Sequence, residues 1–222
     1  MALPMGAQRL LTLLAVNGDL YRGAAAELLW PDCPPTRAAA NLRTALCRGR
    51  CDRGHMLISG DGPRLQLARS VVVDLHLSWD RAREIIAGLS DLPDDFEAFI
   101  SDLAQPLLPE SSEEWLTLEQ ERWNQMRQHA LEVLAQQFTA AGRYLPALQT
   151  ALAAIAVDPM RETAHRIIVE IHLEEGDVAS ALKRYRQYRT ILEREFNVAP
   201  SQHMTQLVQK LLLVHGEPPR VR

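Results

Sequence analysis

The chain has 222 residues, 47% of them hydrophobic, and a formal net charge of −4, which suffices for one or two packed domains. No apolar run approaches the roughly 20 residues that a membrane-spanning helix needs, and no cleavage pattern follows the short apolar stretch near the amino terminus. Three cysteines do not form a secreted disulfide framework. We therefore expect a cytoplasmic protein that does not enter a membrane.

The charge is distributed unevenly along the sequence. Residues 1–83 hold 11 Arg and 7 acidic residues, residues 84–121 hold 11 acidic residues and no Lys or Arg, and residues 122–222 hold 13 basic and 10 acidic residues. A basic front is compatible with a DNA-binding head whose cations lie on one face. A solvated acidic surface is the favoured interpretation of the acidic stretch.

The first module is predicted over residues 1–74. Helices are expected over 7–16, 22–29 and 36–50, because Asn17-Gly18, Trp30-Pro31 and Pro34-Pro35 act as helix boundaries. Residues 56–58 and 64–67 flank a glycine-containing turn at 60–63, which is typical of a hairpin. Three helices followed by a hairpin predict a winged helix-turn-helix, with Arg64 on the wing, where it could contact the sugar-phosphate backbone or the minor groove.

The third predicted helix has two distinct faces. Its apolar positions follow helical spacing toward a core and are Ala38, Leu42, Ala45, Leu46 and Gly49. A second stripe at steps of four, three and four comprises Arg37, Asn41, Thr44 and Arg48. These side chains can read base edges in the major groove of double-stranded DNA, which admits a helix. A solvated helix face is the alternative interpretation.

The second module is predicted over residues 75–222 and is all helical. Helix signals cover 77–88, 113–141, 144–157, 161–175, 178–196 and 202–214. Gly142, Ala147 and Leu148 recur 34 residues later as Gly176, Ala181 and Leu182. This is the period of tetratricopeptide repeats, in which a small residue lets two antiparallel helices approach. The fold class is therefore mainly α: a winged helix-turn-helix domain followed by a TPR-like domain.

Several strings together resemble the SARP-type antibiotic-regulatory activators of bacteria, and the resemblance covers nearly the whole chain. They are LLWPDCPPTRAAANLRTAL in the first module, VVVDLHLSWDRAREI at the junction, and SEEWLTLEQERW, AAGRYLPAL and EEGDVASALKRYRQYRTILEREFNVAPS in the second. Such proteins place a winged helix before a helical bacterial transcriptional activator domain. The resemblance implies a sequence-specific DNA-binding transcriptional regulator, most simply an activator.

The resemblance also implies roles for particular residues. The helix over 36–50 would be the recognition helix, with Arg37, Asn41, Thr44 and Arg48 facing the groove and Arg43 and Arg50 near phosphates. The turn that includes Trp30, Asp32 and Pro35 would contact RNA polymerase. The helical module would mediate self-association, so we expect a homodimer or two copies on tandem DNA sites.

Two departures from the family pattern favour a rival hypothesis. The expected small β-sheet ahead of the first helix is not apparent in the sequence, and Gly49 stands where the family has a large apolar residue. A glycine there costs up to about 1 kcal/mol in helix propensity and removes a core contact, so the recognition helix would end early or the head would be degenerate. The rival is a TPR-like interaction adaptor that does not bind DNA.

Cysteine and histidine spacing raises one further possibility. Cys47, Cys51 and His55 are spaced by four residues, with Cys33 nearby, and such sets can bind zinc or iron. Glycines at 49 and 54 are expected to break the helix, so semi-buried thiols are the favoured interpretation and no metal is predicted. The sequence contains no phosphate-binding glycine loop and no nucleophile elbow, so we expect neither an enzyme nor a cofactor.

Overall fold

The computed structural model describes residues 3–52, 54–60, 62–89 and 91–214, with side chains described through residue 209. Its elements in chain order are α1 (Met5–Asn17), β1 (Leu20–Tyr21), α2 (Arg22–Leu29), α3 (Pro35–Gly49), β2 (Cys51–Asp52), β3 (His55–Met56), β4 (Ile58–Ser59), β5 (Arg64–Leu67), α4 (Asp74–Ile86), α5 (Phe96–Ala104), α6 (Glu114–Ala140), α7 (Tyr144–Val157), α8 (Glu162–Glu174), α9 (Val178–Phe196) and α10 (Gln202–Val214). Within the described residues, no helix has the length and apolarity to cross a bilayer.

The chain folds into two compact units. The first comprises the residues up to Asp74 together with Ser112–Glu119, and the second comprises Leu75–Ser111 and the residues from Gln120 onward. A short segment that the sequence analysis assigned to the second module therefore packs with the first unit. This segment belongs to the first unit because the Trp115 side chain packs against the core of that unit.

The core of the first unit is formed where α1, α2 and α3 meet. Leu10, Leu13 and Leu29 are fully buried there, and α3 contributes Ala38 and Leu42. Pro35 occupies the first turn of α3, where its missing N–H costs no hydrogen bond. The helix begins one residue earlier and ends one residue earlier than predicted, and its core-facing positions are the predicted ones.

Gly49 is explained by a close approach of two helices. A Cβ on Gly49 would lie 2.9 Å from the Cβ of Ala7 in α1, a separation that side chains do not tolerate. The helix α3 ends at Gly49, one residue before its predicted end, and the glycine is buried, so the space left by its missing side chain is filled by α1. Its small size lets α1 and α3 pack backbone to backbone.

A small antiparallel sheet completes the first unit, with the strand order β1-β5-β4. The predicted hairpin is confirmed, because Ile58 pairs with Leu67 across β4 and β5. Two features were not predicted: β1 pairs with β5 through Leu20 and Leu65, and β2 and β3 form a second two-stranded ribbon. Strands of two residues carry no alternating pattern that a sequence could reveal.

The second unit contains the predicted TPR-like repeat. Gly142 and Gly176 both have a positive φ, 69° and 76°, at the turns that precede α7 and α9. Ala147 and Ala181, five residues after each glycine, are both fully buried. The 34-residue period therefore corresponds to two equivalent helical hairpins, α6–α7 and α8–α9, in which the small residue lies at the helix contact.

The helix α5 lies inside the acidic stretch that is predicted to form a solvated surface. The side chain of Asp95 accepts a hydrogen bond of 3.2 Å from the backbone N–H of Ala98, which caps the amino end of α5. Ile100 and Leu103 are buried against α6 and α7 residues of the same core. The acidic side chains of α5 are exposed, which agrees with a solvated acidic surface, and the segment that carries them is an ordered helix packed on the core.

A buried ion pair joins the first repeat to the second. Arg161, the residue before α8, donates from Nε to Glu132 Oε1 at 2.6 Å and from the terminal nitrogen NH2 to Glu132 Oε2 at 3.0 Å. Glu132 lies on α6 with 4% of its side chain exposed, whereas 36% of the Arg161 side chain is exposed. Gln128 donates a further hydrogen bond of 3.1 Å to Glu132. The hydrogen bonds that the Arg161 guanidinium donates to Glu132 raise the pKa of Arg161.

Candidate nucleic-acid interface

The exposed side of α3 carries three arginines that make no ion pair with a carboxylate of the described residues. Arg37, Arg43 and Arg48 are all exposed, and none of them makes an ion pair with the described part of the chain. The opposite side of the helix is fixed in the core by Ala38 and Leu42. The helix therefore presents a cationic surface held in one orientation by its own packing.

Two of the predicted groove-facing residues are less available than the arginines. Asn41 is half-buried and lines a shallow cavity of about 260 Å³ together with Pro4 and Trp30. Thr44 is exposed, but its hydroxyl donates to the carbonyl of Ala40 at 3.1 Å. The predicted stripe thus runs along the flank of α3 that borders α1, about a quarter turn from the core-facing side.

The centre of the exposed face of α3 is occupied by other residues. With 3.6 residues per turn, the positions about half a turn from Ala38, Leu42, Ala45 and Gly49 are Thr36, Ala40, Arg43 and Cys47. Cys47 and Arg43 are exposed, and Ala40 is small enough to leave room for a close approach. Chemical type alone points to the arginine-bearing flank, whereas the helical phase relative to the core also identifies Ala40 and Cys47.

Arg64, predicted on the wing, is engaged within the first unit. Its guanidinium lies 2.7 Å from an Asp19 carboxylate oxygen and 4.8 Å from the ring centroid of Tyr21. Arg22 donates to the carbonyls of Gly62 at 2.6 Å and Gly60 at 3.1 Å. Both arginines therefore hold the sheet and its turn, although half of the Arg64 side chain remains exposed.

The turn between α2 and α3 contains the predicted polymerase-contact residues. Asp32 is exposed, Trp30 is half-buried on the core, and Pro35 is exposed but belongs to the first turn of α3 rather than to the loop. The N–H of Cys33 donates to the carbonyl of Trp30 at 3.1 Å, which closes the turn. The exposed tip is consequently shorter than predicted and centres on Pro31 and Asp32.

A segment distant in sequence supports this turn. Arg9 of α1 donates to the carbonyl of Leu29 at 2.6 Å and to a Glu113 carboxylate oxygen at 2.8 Å. The indole N–H of Trp115 donates to the same carboxylate at 2.9 Å. These bonds fix the end of α2 and lower the pKa of Glu113, mainly through the hydrogen bond from Arg9. No signal in a single sequence would have paired residues 9 and 113.

Replacing Glu113 by Gln is expected to lower the free energy of unfolding by about 1 kcal/mol at pH 7, because the charge-assisted bonds to Arg9 are weakened. The folded-state pKa of Glu113 lies below its usual value of 4.5, so its contribution is complete above that value and is lost as the pH falls through the folded pKa. Urea denaturation of both proteins at pH 7 and pH 3 measures this. An unchanged difference at pH 3 would contradict the assignment.

The cysteines and His55 do not form a metal-ligand cluster in the part of the chain that the structure describes. Cys47 and Cys51 are exposed and Cys33 is half-buried. Cys51 and His55 lie in the short β2–β3 ribbon, beyond the end of α3. Throughout the described ranges, no three His, Cys, Asp or Glu side chains lie close enough to hold a metal ion.

A winged helix-turn-helix followed by a TPR-like helical domain defines a class of bacterial transcription regulators. Residues 98–212 match the family model of the bacterial transcriptional activator domain. This match covers more than half of the chain, so the protein belongs to that family, and its order of domains is that of the SARP-type activators. A search of curated protein sequences returned no match.

A solved structure of Mycobacterium tuberculosis EmbR in complex with a low affinity phosphopeptide has a similar fold. The TM-score is 0.67 at 16% sequence identity, and the match covers 96% of this chain. The chain spans 60% of the length of EmbR. At this identity the likeness establishes the fold alone.

Proposed function

We propose that the protein binds double-stranded DNA through α3 and activates transcription. The observation that carries the proposal is the exposed cationic face of α3, where Arg37, Arg43 and Arg48 have no ion-pair partner among the described residues and the opposite face is fixed in the core. A helix of this width enters the major groove, where an arginine that bonds a guanine bidentately is worth about 1–3 kcal/mol of discrimination. Family membership supports the regulatory part of the proposal.

The geometry ranks the predicted contacts. Arg43 lies at the centre of the exposed face, so we assign it to a base edge or to the nearest phosphate, with Arg37, Asn41, Thr44 and Arg48 along one flank. Arg50 follows α3 directly and is assigned to a phosphate. Arg64 is assigned a positioning role, because its bonds to Asp19 and Tyr21 already hold the wing strand. Its exposed half can still contact the backbone of a bound duplex.

Replacing Arg43 by Ala is expected to weaken DNA binding about tenfold and to reduce the salt dependence of the association constant by about one counterion. Fluorescence anisotropy with labelled genomic fragments over a salt series measures both quantities. The matched control is Arg189→Ala, which removes an equally exposed charge from α9 of the second unit. Equal effects of the two changes, or absence of salt-sensitive binding by the unaltered protein, would overturn the proposal.

Contact with RNA polymerase is proposed for the tip of the α2–α3 turn. Pro31 and Asp32 are exposed there, and the turn is held from behind by Arg9 and Glu113. A rigid loop loses little conformational entropy when it docks, so a small tip can contribute to a specific contact. The segment Ser112–Trp115 and the turn together line a cavity of about 560 Å³ in this unit.

The same protein is proposed to self-associate through α7, as a homodimer or as two copies on tandem sites. Within its bounds α7 has no charged residue, and Leu145 and Leu152 are 63% and 45% exposed. In a two-fold dimer the same surface of each copy forms the interface, so α7 would pack against α7 of the second copy. Because α7 has no charged residue, this contact brings no like charges together.

Glutamate at both Leu145 and Leu152 is expected to shift the protein to monomers, because burying four carboxylates at a two-fold interface is unfavourable. Sedimentation equilibrium over a concentration series measures the shift. Val72→Glu, at another exposed apolar residue, serves as the control. If all three proteins are monomeric, the α7 dimer is wrong. If the protein self-associates but binds none of the genomic DNA fragments, the interaction-adaptor function replaces DNA binding.

A further inference from the structure

A cationic cleft lies between α3 and the sheet of the first unit. It has a volume of about 240 Å³ and is lined by Arg22, Arg43, Leu46, Cys47, Arg50, Ile58, Gly60 and Leu65. Three of these residues are arginines, and no acidic side chain is among those that line the cleft in the described structure. The remaining walls are mainly apolar. Such a cleft attracts a small anion with an apolar body.

The arginines of the cleft are held in different ways. Arg22 is fixed by its bonds to the carbonyls of Gly60 and Gly62, which orient the guanidinium without neutralising it. Arg43 extends from the exposed face of α3 and makes no ion pair in the described chain. One cation is therefore positioned by the fold and another is free to move onto a ligand.

An exposed thiol lines the same cleft. Cys47 lies one turn after Arg43 on α3, so the thiol and the guanidinium are neighbours on the helix surface. Cys51 is also exposed but lies in β2, and it is not among the residues that line the cleft. Of these two exposed thiols, Cys47 is the one that lines the cleft.

We propose that Cys47 is a site of mixed-disulfide formation with an anionic low-molecular-weight disulfide, which the Arg22, Arg43 and Arg50 cleft binds. The Cys47 proton passes to water, and the thiolate attacks one sulfur of the bound disulfide. The bond from Cys47 Sγ to that sulfur forms, the original S–S bond breaks, and the second half leaves as an anionic thiolate. Cys47 is oxidised, and the small disulfide is the oxidant that is reduced.

The modification also has a consequence for the proposed function. Cys47 lies at the centre of the exposed face of α3, so a bound anionic group would both occupy the surface and cancel part of its charge. We expect DNA affinity to fall at least tenfold in the modified protein, because groove entry and phosphate contacts are both obstructed. This consequence rests on the proposed DNA binding, whereas the disulfide chemistry does not.

The test compares the two exposed thiols in the full chain. One variant, Cys33→Ala with Cys51→Ser, retains only Cys47, and another, Cys33→Ala with Cys47→Ser, retains only Cys51. Each is treated with dithiobis(nitrobenzoate), which is dianionic, and with cystamine, which is cationic, and adducts are followed by mass spectrometry. The rate ratio of anionic to cationic disulfide is expected to be about tenfold higher at Cys47 than at Cys51.

The preference at Cys47 is expected to disappear in about 1 M salt, where the Debye length is about 3 Å, and in the additional variant Arg43→Gln. Arg37→Gln, on the flank away from the cleft, is the matched control and should retain the preference. Equal rate ratios at the two thiols, or a preference unaffected by salt or by Arg43→Gln, would overturn the proposal. Selective modification of a protein that binds no DNA would overturn the proposed function and leave this site intact.

Discussion

Replacing Arg161 by Ala is expected to lower the free energy of unfolding of the second unit by about 3 kcal/mol. Glu132 is nearly inaccessible to water, with 4% of its side chain exposed, and Arg161 satisfies both of its carboxylate oxygens. Removing the guanidinium leaves a buried carboxylate with Gln128 as its remaining donor. An uncompensated buried charge costs about 3–5 kcal/mol.

The two partners of this ion pair differ in exposure, so removing each one should have a different cost. Glu132→Gln should cost only about 1 kcal/mol, because Arg161 is 36% exposed and can reach water, while glutamine keeps an acceptor at the same place. Urea denaturation followed by far-UV circular dichroism measures both. The control is Arg186→Ala, an exposed position on α9 where a change within about 0.5 kcal/mol is expected.

A double variant separates the ion pair from general disruption of the repeat. Arg161→Ala combined with Glu132→Gln should be more stable than Arg161→Ala alone, since no charge is then left buried. If the double variant is less stable than either single variant, the cost at Arg161 arises from another contact. If Arg161→Ala and Glu132→Gln lower the free energy of unfolding equally, the burial of the Glu132 carboxylate does not determine the cost of losing Arg161.

Elements with a long repeat or a strong boundary could be predicted from the sequence. The helices α2, α7, α9 and α10 have their predicted bounds, and the 34-residue period located the two hairpins. Each signal is local: a proline, a glycine or a small residue acts on the few residues around it. Local signals also placed α3 and the hairpin of β4 and β5, which together position the candidate interface.

What could not be predicted depends on contacts between distant residues. The pairing of β1 with β5 joins Leu20 to Leu65, and the bond between Arg9 and Glu113 joins positions more than 100 residues apart. Neither leaves a pattern within one segment. The same applies to the site: the sequence identified the arginines of α3, whereas the phase of the helix relative to the core decides that Arg43 and Cys47, rather than Asn41, are central.

Gly49 shows how one such contact decides the geometry of α3. Replacing it by Leu is expected to lower the free energy of unfolding of the first unit by about 3 kcal/mol, because overpacking a tight helix contact forces backbone shifts. A Cβ already meets the Ala7 Cβ at 2.9 Å, so the further atoms of leucine have no space between α1 and α3. Thermal denaturation measures the loss, and DNA affinity should fall with it as α3 is displaced.

The matched pair Gly49→Ala and Ala7→Gly tests the contact itself. Gly49→Ala gains up to about 1 kcal/mol in helix propensity and loses packing, so its net cost should be smaller than that of leucine. Adding Ala7→Gly to Gly49→Ala removes the atom that the new methyl group meets, at a position where α1 loses similar propensity. A favourable coupling energy of at least about 0.5 kcal/mol between the two changes is expected from a double-mutant cycle. If the changes in the free energy of unfolding are additive, α1 and α3 are not in close contact at Gly49. The leucine variant would then be tolerated as well.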